Sequence, residues 1–170
     1  MALYAIALGS NRRHGRHGAP ARVLAAAIAA LPREGVIPLT VSPTFVTAPI
    51  GPSIRAFANA AALVETPLDP PALLAALKRI ERAFGRRRGQ RWGARVLDLD
   101  ILLWQKGRWS SRRPVLLIPH IGLAKRRFVL DPLVKIAPEW PVPRIGTVAQ
   151  ARARLTRRLA IHRSGPGSGP

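Results

Sequence analysis

Residues 91–104 read RWGARVLDLDILLW. From Val96 to Trp104 the run is apolar except for Asp98 and Asp100, one residue apart. The chain has only 8 acidic residues against 28 basic ones, so two of them inside one apolar run need a reason. A charge in a core is costly, and Asp is a poor strand former. Strand geometry removes the conflict. Side chains alternate faces with period two. Asp98 and Asp100 therefore share one face, while Leu97, Leu99, Ile101 and Leu103 share the other and point into the core. The two carboxylates are then about 7 Å apart along the strand.

Working back from this strand gives the rest of the order. Residues 3–8, LYAIAL, form an apolar run that ends at Gly9-Ser10-Asn11, a strand and its turn. Pro20 opens an Ala-rich helix that runs to about Leu31 and stops at Pro32 and Gly35. Residues 36–47 are β-branched and broken by prolines, which reads as a bent edge strand. Residues 48–53 are a loop, and 56–65 a further strand. Asp69 is the expected N-cap of a helix whose stripe of Leu73, Leu74, Leu77, Ile80 and Phe84 ends at Gly85. The basic loop GRRRGQRWGAR leads into 96–104. The order is β-α-β-β-α-β, that of the split βαβ or ferredoxin-like motif. The expected class is α+β: an antiparallel sheet with both helices on one face, followed by C-terminal additions.

Residues 1–146 read as one domain. Residues 147–170 read as a basic extension with a disordered end, SGPGSGP. With 170 residues the chain buries roughly 70% of its unfolded surface, enough for an ordinary core. It has no cysteine, which excludes disulfides and thiolate metal sites. No apolar run reaches the roughly 20 residues that span a bilayer, and the N-terminus has its basic residues on the wrong side for a signal peptide. A cytoplasmic protein is expected.

The net charge of +20 invites a nucleic-acid partner. The basic set, however, is 24 Arg and 4 Lys in an Ala-, Pro- and Gly-rich chain, a composition that shared GC-rich codons also produce. Clustered arginines equally suit a small polyphosphate, because the guanidinium fork matches phosphate oxygens.

The acidic pair and the arginines before it fit together chemically. Hard oxygens at that spacing suit Mg²⁺ shared with substrate phosphates. An arginine-rich loop supplies the opposite charge to a transferring phosphoryl group. The bland alternative is a solvated strand face paired to nearby arginines. No G-x-x-x-x-G-K-[ST] loop is present, so a P-loop is excluded.

RWGARVLDLDIL resembles the signature of the 6-hydroxymethyl-7,8-dihydropterin pyrophosphokinase family of folate biosynthesis. ALGSN (7–11), TAPIGP (47–52), FAN (57–59), IERAFGR (80–86), IPH (118–120) and RRFVLDPLVKIAPE (126–139) resemble further family segments in the same order. The likeness covers roughly residues 2 to 140. Ala94 stands where the family usually has Pro, and Lys78 where some relatives carry a neutral amide.

The resemblance implies transfer of pyrophosphate from ATP to the hydroxymethyl group of the pterin, with release of AMP. It implies two Mg²⁺ ions on Asp98 and Asp100, and Arg86 and Arg95 acting on the phosphates. It places Glu81, Arg88, Arg91, Trp92, His120 and Arg126 on the ATP side. It places Thr47, Pro49, Phe57, Asn59 and Phe128 around the pterin, with the two aromatics as a sandwich and Asn59 on the ring edge. Taken alone, Phe57 and Phe128 read as core and His120 as structural. Asn59 is harder to explain away, since a polar side chain in an apolar strand needs a partner. His14 and His17 carry no assigned role. The expected partners are the two small substrates, with no nucleic acid and no membrane, and the expected state is a monomer. An Arg-rich nucleic-acid module on the same sheet is the competing reading, but two aspartates on the working face would repel phosphate unless metal is bound.

Overall fold

The computed structural model describes residues 1–47, 57–85 and 96–163, the side chains of Thr47, His162 and Arg163 excepted. Strand β1 (Ala2–Ser10) alternates sharply. Tyr4, Ile6 and Leu8 are buried on one face, and the small residues Ala5, Ala7 and Gly9 occupy the other. Helix α1 (Pro20–Ala30) follows, buries Val23, Leu24 and Ala27, and runs into a 3-10 turn, Leu31–Glu34. Gly35 ends the turn at φ 72°, a left-handed conformation that suits glycine.

The expected edge strand is two strands, β2 (Ile37–Val41) and β3 (Phe45–Thr47), both antiparallel to β4 (Phe57–Thr66). Buried Ser42 bridges the break. Its N–H donates to the Ala61 carbonyl, and its Oγ accepts from the Ala61 N–H at 3.0 Å. A side-chain oxygen thus takes the place of the Ser42 carbonyl as the ladder acceptor, just before Pro43.

Helix α2 (Pro70–Ala83) is capped as expected, with Asp69 Oδ1 accepting from Ala72 N–H at 2.9 Å. Such a cap contributes about 1 kcal/mol. Beside it, the buried Tyr4 hydroxyl donates to the Leu68 carbonyl at 2.8 Å. Burial and the Asp69 carboxylate push that phenol up to about 12, so it remains a donor.

Strand β5 (Asp98–Trp104) pairs antiparallel with β1 and completes the order β2-β4-β1-β5. This is the ferredoxin-like arrangement read from the sequence. Helices α1 and α2 cover one face over a core that includes Tyr4, Ile6, Leu8, Leu77, Ile80, Leu99 and Ile101. A hairpin of β6 (Trp109–Arg112) and β7 (Val115–Ile118) follows. Helices α3 (Arg127–Leu133) and α4 (Val148–Arg163) then supply a third layer. Leu123, Val129, Leu130, Leu133, Val148 and Ala151 pack against Ala5, Ala61, Leu102 and Leu103 on the opposite sheet face.

One expectation is corrected here. Leu103 does not share a face with Leu97, Leu99 and Ile101. The register jumps between Ala5↔Leu103 and Ile6↔Ile101, so Leu102 is an extra residue in β5. The bulge turns Leu102 and Leu103 together into the α3–α4 layer. Strict alternation fails at a residue that nothing in the apolar run distinguishes. The strand also starts at Asp98 rather than Val96.

Candidate active site

The register places the candidate residues in rows across the sheet. Phe45, Asn59, Gly9 and Asp98 are consecutive partners on β3, β4, β1 and β5. The next row holds Ala61, Ala7 and Asp100. Asp98, Asp100 and Asn59 therefore share the face opposite the α1–α2 core, as alternation requires. One step further along β1, Ala5 is sealed by the α3–α4 layer. Ala7 and Gly9 are only half-buried. The sheet face is thus paved at one end and accessible at the other, over a floor of the two smallest residue types.

The acidic pair stands on one side of this floor, both residues half-exposed. Asn59 stands on the other, at 7% exposure, and its side-chain amide makes no hydrogen bond among the described residues. The Asn59 Oδ1 lies 3.5 Å from where a Cβ on Gly9 would sit. Two aromatics are exposed on the elements around it, one on β4 and one on α3, the helix that packs on β4 and β3. Phe57, two residues before Asn59 and on the same face, is 36% exposed, and Phe128 at the start of α3 is 46% exposed. Neither is the core residue that its type alone suggests.

The start of α3 is organised by a glycine. Gly122 N–H donates to His120 Nδ1 at 3.0 Å, which leaves the proton of a neutral His120 ring on Nε2 as a donor. The His120 backbone N–H donates to the Leu102 carbonyl at 3.0 Å, so this residue is tied to the bulge. A Cβ on Gly122 would come within 2.9 Å of Arg126 Nε. The missing side chain leaves the path that the Arg126 side chain takes. Its guanidinium carbon lies 5.7 Å from the Phe128 ring centre. The backbone connects His120, Arg126 and Phe128 through this one turn.

Glu81 is completely buried near the end of α2. Its Oε1 accepts from the Leu99 N–H at 2.8 Å and from Lys78 Nζ at 2.6 Å. Lys78 Nζ also donates to the Leu99 carbonyl at 3.2 Å. Sequence reading gave Lys78 no role, though its spacing three residues before Glu81 on a helix is the signal for such a pair. His14 and His17 were also read as idle, yet their rings stack 4.7 Å apart and His17 stacks on Phe84 at 5.0 Å. They pin the loop after β1 to the end of α2.

Arg86, Arg88, Arg91, Trp92, Arg95 and Pro49 lie outside the described residues, as do the side chain of Thr47 and the SGPGSGP end. Thr47 has its backbone in β3, opposite Phe57. Among the described residues no cluster of three or more His, Asp or Glu side chains gathers. Nor is any described helix long and apolar enough to cross a membrane.

Comparison with known proteins gives a consistent answer. The family model described as 7,8-dihydro-6-hydroxymethylpterin-pyrophosphokinase (HPPK) matches residues 5–138. A Haemophilus influenzae protein named 2-amino-4-hydroxy-6-hydroxymethyldihydropteridine pyrophosphokinase is 38% identical over 160 residues, 93% of this chain and 93% of that protein. Its namesake from Pseudomonas aeruginosa is 40% identical over 139 residues, 81% of this chain and 82% of its own length. The fold matches the crystal structure of Plasmodium falciparum HPPK-DHPS with a TM-score of 0.68 at 14% identity. That match covers 95% of this chain, which spans 45% of the larger one.

Proposed function

The chain belongs to the 7,8-dihydro-6-hydroxymethylpterin-pyrophosphokinase family, and on that premise we propose how its residues divide the work. The reaction is the pyrophosphokinase step of folate biosynthesis. The hydroxymethyl oxygen of 6-hydroxymethyl-7,8-dihydropterin attacks the β-phosphorus of ATP, the bond to the α-phosphate oxygen breaks, and AMP leaves. The hydroxyl proton is lost as the new bond forms.

The observation that carries the residue assignment is the row Asn59–Gly9–Asp98. It sets a recognition amide and a carboxylate pair at opposite sides of one accessible floor. Asn59 offers a donor and an acceptor to the pterin edge. Phe57 and Phe128 bracket the ring, a use that accounts for two large aromatics left half-exposed. Thr47 and Pro49 complete the pterin pocket. On the nucleotide side stand His120, as an Nε2 donor, with Arg126, Arg88, Arg91 and Trp92; Glu81, fully buried, stands behind them at the end of α2 and not against the nucleotide. Arg86 and Arg95 act on the transferring phosphates.

Asp98 and Asp100 fit Mg²⁺. They are hard oxygen donors on one face, half-exposed, with no third carboxylate or imidazole beside them among the described residues, a donor set that would leave room for substrate phosphate oxygens. Asp98 and Asp100 would hold two such ions, whose charge would offset that of the phosphates and acidify the attacking hydroxyl. We assign catalysis to residues 1–146, with the start of α4 in the 147–170 segment bracing them through Val148 and Ala151, in a cytoplasmic monomer.

Incubation with ATP, Mg²⁺ and hydroxymethyl-dihydropterin tests the reading. AMP release that disappears in folded Asp98→Asn supports it, and undiminished AMP release in that variant overturns the assignment of the pair.

A further inference from the structure

Among the described residues, strand β5 is an edge strand, paired on one side only, with β1. In its register Leu99 lies opposite Leu8. Its peptide N–H and C=O point away from β1 and toward α2, where a neighbouring strand would otherwise receive them. Two side chains receive them instead. Glu81 takes the N–H at 2.8 Å, and Lys78 gives to the carbonyl at 3.2 Å. The two side chains also grip each other at 2.6 Å, so the bracket closes on itself. Glu81 is 0% exposed, while Lys78 is a third exposed. A fully buried carboxylate is costly to keep unless it is firmly bonded. One of its oxygens holds the residue between Asp98 and Asp100.

We infer that Glu81 and Lys78 are positioning residues for the carboxylate pair. They act through the Leu99 backbone and not by touching a substrate. A free edge twists and frays more readily than a paired one. Fixing the Leu99 peptide fixes the backbone dihedrals on either side of it. Those dihedrals decide whether the Asp98 and Asp100 side chains stay on one face at the spacing that two shared cations require. The ion pair suits the task, since it offers a charged acceptor and a charged donor to one peptide unit. The inference rests on the assignment of Asp98 and Asp100 to the metal.

The test uses the full chain and two variants. Glu81→Leu removes the acceptor but keeps the volume, and Glu81→Gln keeps an acceptor for Leu99 without the charge. In the first, amide hydrogen exchange at Leu99 is expected to speed up by about 10-fold or more relative to β1 amides. Mn²⁺ binding, read by electron paramagnetic resonance in the presence of ATP, is expected to weaken several-fold. The KM for the pterin should hold. Glu81→Gln should restore Leu99 protection and most of the metal affinity, and it serves alone if Glu81→Leu does not fold. Unchanged Leu99 exchange in Glu81→Leu overturns the inference. So does a loss of ATP affinity in Glu81→Gln with Leu99 still protected, which would make the carboxylate a direct ligand contact. Because the exchange readout needs no turnover, failure of the bracket is distinguishable from failure of the enzymatic reading.

Discussion

Asp98 and Asn59 lie in one row of the sheet with only Gly9 between them. Two strand spacings put them roughly 10 Å apart. That span suits a fused two-ring heterocycle held by its far edge at Asn59, with its hydroxymethyl arm reaching toward Asp98. Gly9 is therefore floor and not hinge. Its substitution separates space from fold. A Cβ there makes an ordinary 3.5 Å contact with Asn59, so Gly9→Ala should fold normally. Gly9→Leu fills the bay. It should raise the pterin KM by about 10-fold or more, on the scale of one misplaced side chain in a packed pocket. Steady-state kinetics beside a thermal melt decides this, and an unchanged KM would place the pterin elsewhere.

Asp98→Asn and Asp100→Asn keep side-chain volume and remove charge. Each should lower kcat by at least about 10²-fold, the cost of losing one main electrostatic element of a transition state. The circular dichroism spectrum should not change, because both residues lie off the apolar layers. A variant that unfolds instead would mark the pair as structural.

Gly122→Ala introduces a methyl 2.9 Å from Arg126 Nε. The end of a flexible side chain can swing aside, so the melting temperature should stay within a few degrees. Arg126 then leaves its place by Phe128. We expect a several-fold loss in kcat/KM for ATP and little change in pterin affinity. Equal kinetics for the two proteins would show that the path of Arg126 is unimportant.

His17 gives a pH signature. Its imidazole is pushed below its ordinary value of 6.5, first by desolvation and then by the charges of His14 and Arg16. The native state binds this proton less readily than the unfolded chain. Stability from this group is complete above pH 6.5 and falls as the pH drops below it. His17→Gln should therefore lose less stability than the parent between pH 7.5 and 5.5 in urea titrations. Nuclear magnetic resonance should also give His17 a midpoint below 6.5. Equal slopes for parent and variant would remove the effect.

Period-two alternation and capping chemistry made much of this molecule legible in advance. Asp69 is a cap, Asp98 and Asp100 do share a face, and the sheet has the expected order. The features that escaped are those in which a side chain or an extra residue substitutes for regular backbone. Leu102 looks like any other leucine in its run, and only its pairing with β1 reveals that it is surplus. Ser42 stands in for a ladder bond that depends on β4 lying alongside. That Glu81 also grips the Leu99 peptide was hidden, because a sequence does not show what a helix end presses against. Gly122 was invisible because its effect is the space it leaves for a side chain four residues later. The first three depend on a tertiary neighbour, which no local pattern encodes.

The bulge at Leu102 has a further consequence for how β5 can change. Before it, the strand gives one face to a solvent-accessible bay and one to the α1–α2 core. After it, two consecutive leucines enter the α3–α4 layer. Tolerance to replacement should therefore switch its rhythm at Ile101. A saturation scan should find alternate positions permissive to polar residues up to Asp100 and none permissive at 101–103. Removing a single residue there would carry Leu103 back across the sheet. A chain that lengthened or shortened at this point would have to rebuild both layers at once, whereas one that varied its length in the turn after Trp104 would not.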